Sequence, residues 1–158
     1  MKYIFLDFDG VLNTEKFHDL QRSNGRPAYD CYGPLFDPEA VECLRKLISE
    51  VSGVRVVIIS SWKFEGFDKM LNLWKERQLP GIVAGISPNL IPESLDDLLA
   101  GKGREIRSWL TQNPSSGYVI LDDVPDFLPE QQSHYIEINP HVGLTPDDVQ
   151  KAIEILNR

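Results

Sequence analysis

The sequence is poor in the features that mark secreted, membrane and zinc-finger proteins. It has two cysteines, Cys31 and Cys43, whose spacing matches no metal-ligand pattern, so we expect a reducing compartment. No apolar run reaches the roughly 18 residues of a membrane span. The apolar stretch near the N-terminus is interrupted by Asp7, which argues against a signal peptide. We therefore expect a cytoplasmic protein with no membrane partner.

Basic residues are also in the minority. The chain has 16 Lys and Arg residues against 24 Asp and Glu residues, for a net charge of −8. Broad capture of duplex nucleic acid requires a basic face, so we expect no such surface, although a local basic pocket is compatible with this charge. A length of 158 residues, with no internal repeat and no linker, predicts one domain over residues 1–158.

Strand and helix patterns alternate along the chain. Apolar runs predict five strands, at residues 3–6, 54–59, 82–84, 118–121 and 135–138. Helices are predicted to begin at Pro38, near Phe67, at Lys102 and at Pro146. This order is typical of a three-layer, Rossmann-like α/β domain with a central parallel sheet of about five strands. Residues 13–36 and 85–101 show no clear periodicity and are predicted to be loops or flaps.

The first strand runs directly into an acid pair and a glycine, Asp7, Asp9 and Gly10. Side chains alternate along a strand, so both acids are expected on one side, near a cation that holds them. Gly10 permits a sharp turn that exposes main-chain amides to an anion. Taken alone, the same three residues are equally typical of a surface turn.

Polar residues follow other predicted strands as well. Ser60 follows the second strand, Lys102 begins a helix, and Asp122 and Asp123 follow the fourth strand. Individually these residues are explained by a helix cap, a solvated lysine and an acidic turn. The carboxyl ends of parallel strands share one edge, however, so we expect all of them to converge with Asp7.

An all-oxygen site made by Asp7 with Asp122 or Asp123 suits Mg²⁺. Lys102, the Ser60 hydroxyl and the main-chain amides after Asp7 could compensate the charge of a phosphoryl group bound there.

In these motifs the chain resembles the haloacid dehalogenase-like (HAD) hydrolase superfamily. Residues 7–12 (Asp-Phe-Asp-Gly-Val-Leu) match its first motif, Ser60 its second, Lys102 its third, and Asp122 with Asp123 its acidic fourth. Residues 60–63, 102–106 and 143–145 resemble, more narrowly, the HAD domains of Swiss-army-knife RNA repair proteins. Arg104 is an alternative for the third motif, but the helix register favours Lys102.

The resemblance implies a Mg²⁺-dependent phosphatase with a phosphoaspartate intermediate. Asp7 would be the nucleophile and Asp9 the general acid and base. The ion would be held by Asp7, the main-chain carbonyl of Asp9, and Asp122, with Asp123 as a direct or supporting ligand. The resemblance also implies that Ser60, Lys102 and Gly10 bind the phosphate group.

Neither irregular stretch is long enough for the cap domain common in this superfamily, so we expect a capless enzyme with an open site and a flap-like insert at residues 13–36. Open sites in the superfamily tend to serve macromolecular substrates, or small ones enclosed by a partner subunit. Four basic residues could form a substrate rim: Arg22, Arg26, Lys63 and Arg104.

Three functions remain open from the sequence. The first is hydrolysis of small phosphomonoesters, and the second is removal of phosphate from nucleic-acid ends. The third is a non-catalytic phosphate-binding or interaction module on the same fold. The presence of Asp9 argues against the third, since a binding module does not need an acid there. It also argues against dehalogenase chemistry, which does not require Asp9 or the magnesium acids.

Overall fold

The computed structural model describes residues 1–158. Its elements follow the chain in the order β1 (Lys2–Leu6), α1 (Glu15–Ser23), β2 (Tyr29–Asp30), β3 (Gly33–Pro34), α2 (Pro38–Glu50), β4 (Val54–Ile58), α3 (Phe67–Glu76), β5 (Val83–Ile86), α4 (Leu95–Leu99), α5 (Gly101–Gln112), β6 (Gly117–Asp122), β7 (Tyr135–Glu137) and α6 (Pro146–Leu156). Short 3-10 helices lie at Ser61–Glu65 and Pro129–His134. No helix combines the length and apolar character needed to cross a bilayer.

Five strands form one parallel sheet in the order β5-β4-β1-β6-β7. The chain builds the sheet outward from β1 through β4 to β5, then crosses back to place β6 and β7 on the other side of β1. The direction of winding therefore reverses between β1 and β6. Ligands of open α/β sheets bind at such a reversal, beyond the carboxyl ends of the strands.

Helices cover both faces of this sheet, which confirms the three-layer α/β fold. Alternating residues of β1 enter two separate cores. Ile4 and Leu6 pack with α2, α3 and α6, whereas Tyr3 and Phe5 pack with α5. Burial on both faces explains why the strands are nearly continuous apolar runs in the sequence.

The helix starts follow the predicted capping chemistry. The Asp37 side chain accepts from the main-chain N–H of Glu39 at the start of α2, where Pro38 occupies the first turn. At the start of α6, the Thr145 hydroxyl accepts from the Asp148 N–H, and the Asp148 carboxylate accepts from the Thr145 N–H. This reciprocal pair is the capping box expected from the sequence.

The two stretches predicted to be loops contain regular structure. Residues 13–36 hold α1 and the β2–β3 hairpin, and residues 85–101 hold the end of β5 and all of α4. Neither α1 nor α4 has a buried residue, and α4 is only five residues long, so its three exposed leucines are too few to show a helical period in the sequence. The hairpin is held by a residue outside it: Arg77, at the C-terminal end of α3, pairs with Asp30 at 2.6 Å and donates to the Pro34 carbonyl at 3.1 Å.

Candidate active site

Three carboxylates meet at the edge of the sheet where the winding reverses. Asp7 directly follows β1, Asp122 ends β6, and Asp123 is the next residue. Because Leu6 pairs with Leu121 in the parallel ladder, the register brings the acids that follow side by side. One oxygen from each of the three carboxylates lies within 4.8 Å of the others. Asp7 and Asp122 are 5% and 0% exposed, so little water can compensate their charge.

Lys102 is the cation that contacts this cluster. Its Nζ lies 2.7 Å from Asp122 Oδ2 and 3.6 Å from Asp7 Oδ2. Burial opposes the charge of Lys102, but its attraction to Asp7 and Asp122 outweighs burial and raises the pKa of the ammonium. Burial, followed by repulsion from Asp122, raises the pKa of Asp7 to about 8. One ammonium thus faces three carboxylates.

The cluster fits a magnesium ion by its donor set. All of its donors are carboxylate oxygens, which Mg²⁺ prefers, and a dication would compensate the charge that Lys102 leaves unbalanced. Asp122 is further held in place because its Oδ1 accepts from the Val124 N–H at 3.0 Å. Burial and the neighbouring Asp122 raise the pKa of Asp123, as expected for carboxylates crowded together.

Gly10 leaves the space in which Asp123 sits. Its φ is +79°, and a Cβ built on it would come within 2.5 Å of Asp123 Oδ2 and 2.9 Å of Pro140 Cβ. The Gly10 N–H, which the sequence suggested as a phosphate donor, instead donates to Asn13 through the main-chain carbonyl at 3.0 Å and the side-chain Oδ1 at 3.3 Å. In this structure, therefore, Gly10 contributes the space that Asp123 occupies, and its N–H is already engaged by Asn13.

Asp9 has surroundings quite different from those of Asp7. It is exposed, and its carboxylate accepts from Asn13 Nδ2 at 2.8 Å and from Trp62 Nε1 at 3.2 and 3.3 Å. The expectation that one cation holds both acids is not met, because Lys102 lies 3.6 Å from Asp7 and forms no ion pair with Asp9. β1 ends at Leu6, so both acids lie beyond the strand and strand alternation does not set their directions.

Ser60 lies at the carboxyl end of β4, next to β1. It is fully buried, and its hydroxyl accepts from the Trp62 N–H at 3.3 Å, which caps the 3-10 helix that follows. Ser60 is therefore a helix cap in the structure, which is the alternative role that its sequence position suggested. The neighbouring Ser61 is exposed and lines a cavity of about 230 Å³ with Lys102, Phe64 and Leu98. The sequence reasoning did not assign Ser61 to the site.

The position of Lys102 depends on close contact between α5 and the segment after β6. A cation in the first turn of a helix opposes the helix dipole, so the helix itself does not favour Lys102 there. The Gly103 N–H donates to the Asp126 carbonyl, and Gln131 Nε2 donates to the Gly103 carbonyl at 2.8 Å. A Cβ on Gly103 would meet Gln131 Oε1 at 2.6 Å. Gly103 and Gln131 thus fix the start of α5, although the sequence reasoning gave neither a role.

The four basic residues predicted to form a rim do not share one environment. Arg22 on α1 and Arg26 after it are exposed. Arg104 is partly buried, and its Nε lies 3.4 Å from Asp97 Oδ1. Lys63 lines the same cavity as Lys102, but it is 3% exposed and its amine is held by Glu105 and Ser87. Its position directly after Trp62 gave no indication of these distant partners.

Comparison with known proteins identifies the family of the chain. A comparison with curated proteins found no match. The model of the family described as "HAD domain in Swiss Army Knife RNA repair proteins" matches residues 3–149, which include every residue of the acidic cluster and Lys102. The chain therefore belongs to the family of HAD domains found in Swiss Army Knife RNA repair proteins.

Proposed function

We propose that the protein is a magnesium-dependent phosphomonoesterase that uses Asp7 as its nucleophile. The observation that carries this proposal is the cluster of three carboxylates with a single ammonium, at the sheet edge where α/β proteins bind ligands. Membership of a HAD family supports hydrolase chemistry at these residues. The acids Asp7, Asp122 and Asp123, with the main-chain carbonyl of Asp9, would hold the ion.

The reaction proceeds in two steps. A carboxylate oxygen of Asp7 attacks phosphorus, the bond from phosphorus to the ester oxygen breaks, and Asp9 gives that oxygen its proton. Water then attacks phosphorus and passes a proton to Asp9, while the bond from phosphorus to Asp7 breaks and phosphate is released. Bound magnesium would supply neutralisation of the carboxylates and polarisation of the phosphoryl oxygens.

Lys102 supplies positive charge to the transferring phosphoryl group. Its Nζ already lies between Asp7 and Asp122, so it is placed before substrate arrives. Ser60 supports this role by capping the turn that carries Ser61, whose exposed side chain lines the same cavity as Lys102. We assign phosphate contact to Lys102 and this turn.

The insert at residues 13–36 acts, in this proposal, as a flap within a single domain of residues 1–158 and replaces a separate cap. Its hairpin supports this view, because Gly33 lies against the ring of Trp62, which in turn contacts Asp9. A site without a cap remains open to large substrates.

A second substrate class is favoured by the description of the family. The family is described by its occurrence in RNA repair proteins, so we propose a phosphorylated oligonucleotide end as the alternative to a small phosphoester. Arg22 and Arg26 are exposed on the flap and could contact a nucleic-acid backbone. The net charge of −8 restricts such contact to a local region. Comparing kcat/KM for 3′- and 5′-phosphorylated oligonucleotides with that for small phosphoesters distinguishes the two classes.

The function itself is tested by hydrolysis of p-nitrophenyl phosphate with and without Mg²⁺. We expect turnover that EDTA abolishes and excess Mg²⁺ restores, and that Asp7→Asn lacks. Asp68→Asn is the matched control, since Asp68 is exposed on α3 and lies outside the cluster. Turnover by folded Asp7→Asn at the wild-type rate would contradict the proposal. Binding of phosphate without hydrolysis of any ester would favour the non-catalytic module.

A further inference from the structure

Trp62 reaches Asp9 from the end of a neighbouring strand. Its indole Nε1 lies 3.2 Å from Oδ1 and 3.3 Å from Oδ2 of Asp9. Asn13 approaches the same carboxylate from the other end of the turn after β1, with Nδ2 at 2.8 Å from Oδ1. Asp9 is therefore an exposed carboxylate that is nevertheless held by two donors from different parts of the chain.

The direction of the Trp62 N–H is fixed by the packing of its ring. Phe8 meets the indole edge-on with ring centroids 5.3 Å apart, and Phe36 packs against it at 5.6 Å. A Cβ on Gly33 would lie 3.2 Å from the indole Cη2, so the hairpin closes the far side of the ring. The Arg77 guanidinium lies 5.6 Å from the ring centroid. The ring cannot turn without disturbing these neighbours.

The other two tryptophans show that this contact is particular to Trp62. Trp74 is buried, and its N–H donates to the Pro80 carbonyl at 3.1 Å. Trp109 has a buried N–H with no partner. Trp62 is only partly buried, so water could have satisfied its N–H, yet that N–H faces a titratable side chain.

We propose that Trp62 is a positioning residue that, together with Asn13, orients Asp9 for proton transfer. This inference rests on the proposed phosphatase function and deepens it. Both donors direct hydrogens toward the carboxylate, so a proton carried by Asp9 must occupy a lone pair that neither donor uses. Oδ1 accepts from both Asn13 and Trp62, whereas Oδ2 accepts only a share of the Trp62 N–H, so Oδ2 has the greater free lone-pair capacity and is the oxygen that exchanges the proton. That proton goes to the leaving oxygen in the first step and is replaced from water in the second.

The test compares how much Trp62→Phe lowers kcat/KM for substrates with different leaving groups. Phenylalanine keeps an aromatic ring between Phe8 and Phe36 but lacks the N–H. An alkyl phosphate such as β-glycerophosphate requires protonation of its leaving oxygen, whereas p-nitrophenolate leaves with little assistance. We expect kcat/KM to fall about tenfold or more for the alkyl ester and less than about threefold for the aryl ester. Asp9→Asn should show a larger difference in the same direction.

Trp74→Phe is the matched control, because it also removes an indole hydrogen bond, but one that goes to the Pro80 carbonyl and not to Asp9. After correction for the folded fraction, it should affect both esters equally. Asn13→Ala is a second variant, which should reproduce the selective loss with the alkyl ester even if Trp62→Phe does not fold.

An equal loss on both esters in both site variants, or no loss in either, would overturn the positioning role. Failure of the wild-type protein to hydrolyse either ester would instead overturn the phosphatase proposal, and the role of Trp62 with it.

Discussion

A buried lysine, Lys63, and a partly exposed lysine, Lys102, lie near the same edge of the sheet, and their surroundings are opposite. Lys63 follows β4 and is enclosed by Glu105, by the Ser87 hydroxyl at 2.8 Å and by the Pro88 carbonyl at 3.4 Å. Burial lowers the pKa of the Lys63 ammonium, and its hydrogen bond with Glu105 offsets only part of that effect. Around Lys102, by contrast, acids are in excess and raise its pKa despite burial.

The difference separates a structural ion pair from a ligand site. At Lys63 one ammonium meets one carboxylate, and its hydrogen bonds are satisfied within the protein. At Lys102 one ammonium pairs with two members of a cluster of three carboxylates, so negative charge remains to be compensated. A folded chain tolerates such excess charge where a ligand supplies the balance. The two lysines differ in exposure as well, since the Lys63 side chain is 2% exposed and that of Lys102 is 25% exposed, but the number of their counterions is what separates their roles.

The largest change in stability should follow removal of the balanced lysine. Lys63→Met leaves the Glu105 carboxylate without its counterion, and we expect the free energy of unfolding to fall by about 3–5 kcal/mol. Denaturant unfolding monitored by circular dichroism measures this loss. Lys63→Met combined with Glu105→Leu should recover more than half of it. A loss below about 1 kcal/mol in the single variant would show that the pair is not a structural ion pair.

Removal of the second lysine should act mainly on catalysis. Lys102→Met takes away the ammonium that faces the transferring phosphoryl group, and we expect kcat to fall about 10²–10³-fold. Lys69→Met is the control, since Lys69 lies on α3 in a surface ion pair with Glu65. Mg²⁺ should also raise the melting temperature of Lys102→Met more than that of Lys63→Met, because only the former leaves the acidic cluster with no cation. Activity of Lys102→Met within about threefold of wild type would contradict this role.

The smallest change should come from Arg104→Gln. The Arg104 guanidinium pairs with Asp97 on α4 and makes no ion pair with the acidic cluster. We expect a stability change of about 0–1 kcal/mol and kcat within about threefold of wild type. Comparing the steady-state kcat of Arg104→Gln with that of Lys102→Met distinguishes the two candidates for the third motif. A loss as large as that of Lys102→Met would assign the role to Arg104.

Periodic features of the fold could be predicted because they depend on neighbours in sequence. The apolar runs of β1, β4 and β6 and the capping box at Thr145 are local patterns, and each element formed where its pattern indicated. Helix α1 escaped prediction because none of its side chains is buried in the core, and α4 because five residues are too few to show a helical period. The insert between β1 and α2 is consequently more ordered than its composition suggested.

The site was only partly predictable for the same reason. Asp7 and Asp122 could be expected together because parallel register is a general rule, and the structure brings them together. The direction of Asp9, the partner of Trp62 and the burial of Lys63 depend on contacts between residues about 20 to 50 positions apart. For the contact with Asp9, the available signal was the tryptophan of the Ser-Ser-Trp-Lys motif. An indole after a strand end can pack its ring against the core and donate its N–H to a polar group.

The central claim is that Asp7 carries the phosphoryl group, and trapping that intermediate tests it most directly. The protein would be mixed with Mg²⁺ and substrate, quenched in acid during turnover, reduced with borohydride and digested for mass spectrometry. Borohydride converts an aspartyl phosphate to homoserine, so we predict homoserine at position 7 in the wild-type protein. Asp7→Asn should give no such product. Sustained hydrolysis without homoserine at position 7, or with homoserine at another aspartate position, would contradict this claim.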